Sequence, residues 1–171
     1  MGRGSTKKDK TIYQEAREGL DLSRAAASEL LEFISEDRLE RIESEKSPIQ
    51  PDEVLMMAEK YRKPELCNHY CSNECPIGVE NVPHIEIKSL SNIVLEMVDS
   101  INQLQKRKDR LIEITVDGII TDEEIKDFAD IQKNLEKIET TVEVLKLWVE
   151  KRIADGRINE ETLKKYKESM N

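Results

Sequence analysis

Aromatic residues, glycine and proline are scarce in this sequence of 171 residues. Aromatic side chains make up only 4% of the chain, and there are six glycines and five prolines. Charged residues, in contrast, make up 37% of it. This composition is typical of exposed helices and argues against a sheet sandwich or a disordered tail. The sequence therefore predicts an all-α protein.

Long hydrophobic runs are also missing. No apolar run approaches the ~20 residues that a helix needs to span a bilayer. Residues 1–10 are polar and basic, without the apolar segment of a secretory signal. We therefore expect a soluble, cytoplasmic protein with no membrane partner.

Basic residues are outnumbered, with 27 against 36 acidic side chains and a formal net charge of −9. Because affinity for nucleic acid depends on Lys and Arg that neutralise phosphates, any role in DNA binding must depend on a local basic patch. Catalytic motifs are absent as well. The chain has two histidines, no phosphate-cradling glycine loop and no nucleophile elbow. We expect that it is not an enzyme.

Breaks at glycine, proline and capping residues divide the chain into four parts. Residues 1–10 form a flexible basic arm with Lys7, Lys8 and Lys10. Residues 11–66 form a helical module, with helices predicted over 11–18, 23–31, 35–45 and 51–61. Residues 67–85 are a connector rich in cysteine and helix breakers. Residues 86–171 are predicted to be a helical hairpin followed by a short C-terminal helix.

Two long stretches in the last part carry apolar residues at the three- and four-residue spacing of a helix seam. The first contains Leu90, Ile93, Val94, Met97, Ile101, Leu104, Leu111 and Ile112, and the second contains Ile125, Phe128, Ile131, Leu135, Ile138, Val142, Leu145, Trp148, Val149 and Ile153. The turn signal Asp117-Gly118 separates them. The pattern predicts a long antiparallel, coiled-coil-like hairpin on the order of 40 Å long. Since long apolar stripes favour self-association, we expect a homodimer through this hairpin.

The order of features in residues 20–66 is that of a helix-turn-helix. Leu22-Ser23 opens an Ala-rich helix that ends at Leu30-Leu31, and Ser35 caps a second helix with Leu39, Arg41 and Ile42. This run, continued through Ser47-Pro48 and the helix after Pro51, resembles the phage-repressor-like (Xre/Cro) helix-turn-helix family. More distantly, the whole chain is similar to uncharacterised clostridial helix-turn-helix proteins that carry a cysteine cluster after the module.

The resemblance implies binding to double-stranded DNA. It places Arg24 at the start of the first helix, and it places Glu36, Asp37, Arg38 and Arg41 on the helix that would lie in the major groove. Lys46 is a further candidate for a phosphate contact.

Two features depart from the family. Between Ser35 and Lys46 there are five acidic and three basic side chains, and acidic groups repel the phosphate backbone. Glu32-Phe33 stands where the family usually turns on glycine. Glu43 is expected to form an ion pair between helices. Two interpretations therefore stay open: a DNA-binding transcriptional regulator, and a protein-interaction adaptor that keeps the fold without binding DNA.

The connector contains all three cysteines of the chain, Cys67, Cys71 and Cys75. Zinc prefers four thiolate or imidazole ligands, so His84 or His69 would complete the set. On one continuous helix Cys67 and Cys75 would be ~12 Å apart, so the segment must turn for all three to bind one ion. The spacing predicts a zinc site that orders the connector, with an iron–sulfur cluster as the alternative metal centre. Buried free thiols or a redox-active thiol set are the interpretations without a cofactor.

Overall fold

The computed structural model describes residues 10–170, and over that range the protein contains ten α-helices and no β-strand. The predicted all-α class is confirmed. The helices are α1 (Ile12–Glu18), α2 (Arg24–Leu31), α3 (Glu36–Glu43), α4 (Pro51–Lys60), α5 (Glu65–Asn73), α6 (Gly78–Asn81), α7 (Leu90–Lys106), α8 (Lys108–Thr115), α9 (Ile125–Ala154) and α10 (Glu160–Ser169). None of these helices has both the length and the apolar character that crossing a membrane requires.

The first helices begin where their capping side chains predict. The hydroxyl groups of Thr11, Ser23 and Ser35 accept hydrogen bonds from backbone amides three residues later, at 3.2, 3.1 and 3.2 Å. Each bond satisfies one of the amides that a helix start leaves without a partner. Helix α4 begins differently, with Pro51 in its first turn and the Glu53 carboxylate accepting from the Gln50 amide at 2.8 Å.

The chain forms two compact units. One comprises residues 10–84 and 149–170, and the other is Ile85–Trp148. Residues from α9 belong to both units, so the chain end from Val149 onward is grouped with the N-terminal helices.

The N-terminal unit has a continuous apolar core. Helix α2 packs on α3 and α4, α1 packs on α3, and α4 packs on α5. The core consists of Tyr13, Ala16, Ala27, Leu31, Ile34, Leu39, Ile42, Ile49, Val54, Met57, Ala58, Tyr61 and Leu66. At the other end of the chain, the Lys151 ammonium donates to the Arg62 carbonyl at 3.0 Å.

In the unit Ile85–Trp148, the contacts between α8 and α9 are antiparallel. Arg107, just before α8, donates to the Asp130 carbonyl at 3.1 Å, whereas Arg110 donates to Asp127 at 2.6 Å. Later residues of one helix thus contact earlier residues of the other. The first helix of the predicted hairpin is interrupted before the turn at Gly118, because α7 ends at Lys106 and α8 begins at Lys108.

The apolar seam predicted for this unit is only partly buried. Ile93 and Ile131 are buried, together with the polar residues Ser100, Asn134 and Thr141. Helix α7 leaves a second row of side chains exposed, which we name the α7 apolar face. Its members are Leu90, Val94, Val98 and Ile101, each between 42% and 49% exposed.

Candidate functional site

The connection between α2 and α3 is a strained turn. Glu32 has φ 60° and ψ −48°, and the Phe33 amide donates to the Leu31 carbonyl at 2.6 Å. These values describe a classic γ-turn, a rare conformation that is unfavourable for a residue with a Cβ. Phe33 follows this turn and is 84% exposed. The turn thus presents an aromatic side chain almost entirely to solvent.

Arg24, a predicted DNA contact, belongs to a buried ionic cluster. The Glu43 carboxylate is buried and accepts hydrogen bonds from Arg17 Nη2 at 2.9 Å and from Arg24 Nε at 2.8 Å. The hydrogen bonds with Glu43 raise the pKa of Arg17 despite its burial. The ion pair predicted for Glu43 is confirmed, and it links α1, α2 and α3. Removing one partner from such a cluster would leave an uncompensated buried charge.

Arg38 uses its guanidinium inside the protein. Nε and Nη2 donate to the two Glu53 carboxylate oxygens, each at 2.6 Å. Nη1 donates to the Ser47 hydroxyl at 2.6 Å, and Nη2 also donates to the Pro48 carbonyl at 2.8 Å. The side chain is 23% exposed. Arg38 therefore joins α3 to the following loop and to α4.

The remaining charged residues of α3 make its outer surface acidic. Glu36 and Asp37 are exposed in the first turn. Lys46 is paired with Glu40 at 2.7 Å. Arg41 is exposed and makes no ion pair with any residue between 10 and 170. Of the predicted basic contacts, Arg41 alone therefore presents an uncommitted guanidinium.

The basic arm lies mostly beyond the part of the chain that the structure describes. Lys7 and Lys8 are outside it. Lys10 is within it, and its ammonium lies 2.6 Å from the Glu18 carboxylate. This contact neutralises one positive charge that the arm was expected to offer to phosphates.

The cysteine segment is helical in its first half. Cys67 and Cys71 lie on α5, and Cys75 follows two residues after that helix ends. All three are free thiols and half-buried. Burial raises the pKa of the Cys67 thiol, as do nearby Cys71 and Glu150. A raised pKa keeps a thiol protonated and lowers its reactivity as a nucleophile or metal ligand.

After Cys75 the chain folds back along α5, and we name residues 76–84 the return strap. Asn68 donates to the Pro83 carbonyl at 3.0 Å, and the Ser72 hydroxyl lies 3.2 Å from His84 Nδ1. Gly78 packs directly on α5, since a Cβ there would lie 2.1 Å from the Cys71 carbonyl oxygen. These contacts fix the strap against the helix.

The two histidines occupy different places around α5. His84 lies on the return strap beside Ser72, and Ser72 is the residue that follows Cys71 in the sequence. His69 faces α1, where its ring packs edge-on against Tyr13 with centroids 6.1 Å apart. His69 Nε2 is 3.7 Å from Glu74, which also accepts a hydrogen bond from the Tyr13 hydroxyl at 2.6 Å. The structure thus separates the two residues that were candidates for one ligand position.

No three His, Cys, Asp or Glu side chains within residues 10–170 are grouped so that they could hold a metal ion. The zinc site and the alternative iron–sulfur cluster stay predictions. Sequence reasoning missed the Tyr13–Glu74 hydrogen bond and the exposure of Phe33. For the exposure of Phe33, the only local indication in the sequence is that Glu32-Phe33 stands where the family usually has glycine at the turn.

Comparison with known proteins leaves the function to be argued from the site itself. The chain matches no protein-family model, no curated protein and no solved structure. The resemblance of residues 20–66 to phage-repressor-like proteins therefore stays a prediction.

Proposed function

We propose that this protein is an interaction module that binds another protein through the turn between α2 and α3. The observation that carries the proposal is the exposure of Phe33, at 84%, directly after a strained γ-turn. Exposed aromatic side chains that a partner can bury dominate the energetics of many interfaces. Backbone strain is concentrated at functional sites, where it fixes the direction of a side chain.

The charge around Phe33 defines the chemistry of the partner. Glu29, Glu32, Glu36 and Asp37 all lie within four residues of Phe33 and are all exposed. Glu32 is 3.8 Å from the Lys60 ammonium, so the other three carry the negative charge of this rim. An aromatic anchor with an acidic rim is complementary to an apolar pocket bordered by Lys and Arg. The partner we infer is a protein with such a basic-rimmed pocket.

The ion pairs of the basic side chains argue against contact with phosphates. Arg24, Arg38 and Lys46 are held by Glu43, Glu53 and Glu40. Using these basic side chains on DNA would require breaking the pairs, while Glu36 and Asp37 would face the backbone. A groove-reading helix needs free donors for phosphates and base edges.

A DNA-binding regulator is the second candidate function, and exposed Arg41 favours it. The test for it is a gel shift with random duplex DNA at low salt, where counterion release strengthens any phosphate contact. Binding that is lost in Arg41→Glu supports the regulator. No binding at low salt removes it.

Site-specific photo-crosslinking in the source cells tests the interaction module. A photoreactive phenylalanine analogue is placed at Phe33 and, as the matched control, at Met170, which is 82% exposed at the end of α10. We expect a discrete protein adduct from position 33 alone, attached at an apolar site flanked by Lys or Arg. Crosslinks to DNA at position 33, or equal adducts at both positions, would contradict the proposal.

We also infer that the α7 apolar face pairs with a second copy of the chain. The members of the face are uncharged and recur at three- and four-residue spacing along one side of α7. Two such faces bury each other across a two-fold axis, where the same apolar side chains of both copies meet. Self-association would give the adaptor two Phe33 sites.

A further inference from the structure

A cavity of about 600 Å³ lies in the N-terminal unit, bordered by the start of α1, the end of α3 and the end of α5. Its volume falls within the range of small-molecule sites. Part of its lining is apolar and comes from Ile12, Ile42, Pro48 and Ile49. This surface is suited to a short hydrocarbon chain.

The charges at the cavity are predominantly negative. Glu45 and Glu74 both line it. Glu45 is exposed and has no ion-pair partner among residues 10–170. Lys10 also lines the cavity, but its ammonium is neutralised by Glu18 at 2.6 Å. Among residues 10–170, the groups that line the cavity therefore offer a ligand two carboxylates and no free cation.

Tyr13 holds one of these carboxylates in place. Its hydroxyl donates to Glu74 Oε1 at 2.6 Å. Burial raises the pKa of Tyr13, and the hydrogen bond to Glu74 raises it further, so the hydroxyl stays a donor at neutral pH. Glu74 keeps its second oxygen for a ligand. His69, at 3.7 Å from the bonded oxygen, completes this wall of the cavity.

We propose that the cavity binds an aliphatic ammonium compound. The hydrocarbon part packs on the isoleucine side chains, and the ammonium groups bind Glu45 and Glu74. Hydrogen bonds from an ammonium to a carboxylate are stronger than those between neutral groups. This site lies at the end of α3 opposite to Phe33, so it stands independently of the proposed protein-binding function.

Isothermal titration calorimetry of the full chain at fixed ionic strength tests the site. The probes are 1,5-diaminopentane, as a free amine, and a lysine blocked at both backbone ends, as a peptide side chain. The tighter of the two identifies the source of the ligand. The controls are 1,5-pentanediol, which has the same chain without charge, and Mg²⁺, which has the charge without the chain. We expect an amine to bind and both controls to give no specific heat.

Two variants locate the binding. Glu45→Gln and Glu74→Gln should each weaken amine binding about tenfold, the effect of one lost charged hydrogen bond. Glutamine at position 74 can still accept from Tyr13, which protects the fold, and thermal melting checks this. Glu59→Gln, at an exposed position on α4, is the matched control and should bind as the wild type does. Absence of amine binding, equal affinity in all variants, or equal competition by Mg²⁺ would overturn the proposal.

Discussion

Arg38 and Glu53 face each other through two parallel hydrogen bonds, from Nε to Oε1 and from Nη2 to Oε2, each 2.6 Å long. Glu53 also accepts from the Gln50 amide at 2.8 Å. Burial acts to raise the pKa of Glu53, but the hydrogen bonds from Arg38 and Gln50 outweigh it and hold the pKa below the ordinary 4.5. The pair joins α3 to α4.

The lowered pKa of Glu53 predicts a dependence of stability on pH. Because the folded pKa lies below the ordinary value of 4.5, the contribution is fully present above pH 4.5 and is lost as the pH falls through the folded pKa. Glu53→Gln should therefore cost about 1–3 kcal/mol at pH 7. The cost should shrink as the pH falls below 4.5 and through the folded pKa of Glu53. Urea unfolding at several pH values measures the cost at pH 7 and its change with pH. The control Glu59→Gln should show the same dependence of stability on pH as the wild type. A constant difference between wild type and Glu53→Gln would contradict this account.

The Arg38 contact also shows what the sequence can and cannot predict. Thr11, Ser23 and Ser35 predict their helix starts because a cap depends on neighbours three residues away. The partner of Arg38 is fifteen positions away on another helix. No local pattern distinguishes an arginine that binds Glu53 from one that reads a DNA groove, and so the sequence predicts Arg38 as a DNA contact.

The cysteine segment is a second case in which contacts distant in sequence decide the local structure. Helix breakers after Asn68 predicted a connector, but α5 continues through Cys71 to Asn73. The stabilising contacts come from the return strap, where Gly78 packs on the Cys71 carbonyl. Such packing depends on the tertiary fold, which overrides weak local propensity.

Replacing Glu32 by glycine should stabilise the protein. Glu32 has φ 60° in the γ-turn, and glycine adopts that conformation without the strain caused by a Cβ. Glu32 also lies 3.8 Å from the Lys60 ammonium, but both side chains are partly exposed and such a pair contributes little to stability. We expect Glu32→Gly to raise the free energy of unfolding by about 1 kcal/mol in urea denaturation. Glu29→Gly is the matched control: it removes the same charge inside α2 and should lower stability by about 1 kcal/mol. A loss of stability in both variants would show that the turn at Glu32 is unstrained.

Gly78→Ala should be clearly destabilising. The new Cβ would lie 2.1 Å from the Cys71 carbonyl oxygen, so the return strap must move away from α5. We expect a loss of about 2–3 kcal/mol in urea unfolding, with faster amide exchange in residues 76–84. Gly156→Ala is the control, because its Cβ meets open space and only its φ of 71° opposes alanine. It should cost about 1 kcal/mol and leave exchange in the strap unchanged. Equal amide exchange in the two variants would be the contrary result.

Zinc binding to Cys67, Cys71, Cys75 and His84 is the prediction for the cysteine segment. A zinc ion requires its ligands at ~2.0–2.3 Å, and these side chains are not grouped that closely in the described structure. Binding must therefore move Cys75 and His84 relative to Cys67 and Cys71. We expect about one zinc per chain by elemental analysis and slower amide exchange in residues 76–84 after zinc is added.

The two histidines give this metal prediction its control. His84→Ala should weaken zinc binding, because His84 lies beside Ser72 on the return strap. His69→Ala should bind zinc as the wild type does, because His69 faces Tyr13 and Glu74. Protein purified anaerobically with neither zinc nor iron near one-to-one would contradict the prediction of a metal centre.

Self-association through the α7 apolar face predicts a mass of two chains in light scattering after gel filtration. Val98 lies within that face, so Val98→Glu would bury a carboxylate in the dimer without a partner. We expect this variant to dissociate at least about tenfold more readily, with unchanged helix content by circular dichroism. Asn92→Glu adds the same charge to an exposed position of α7 outside the face, and it should remain dimeric. If Asn92→Glu dissociates as readily as Val98→Glu, net charge rather than the apolar face controls association. A monomeric wild type at high protein concentration would remove the proposed contact altogether.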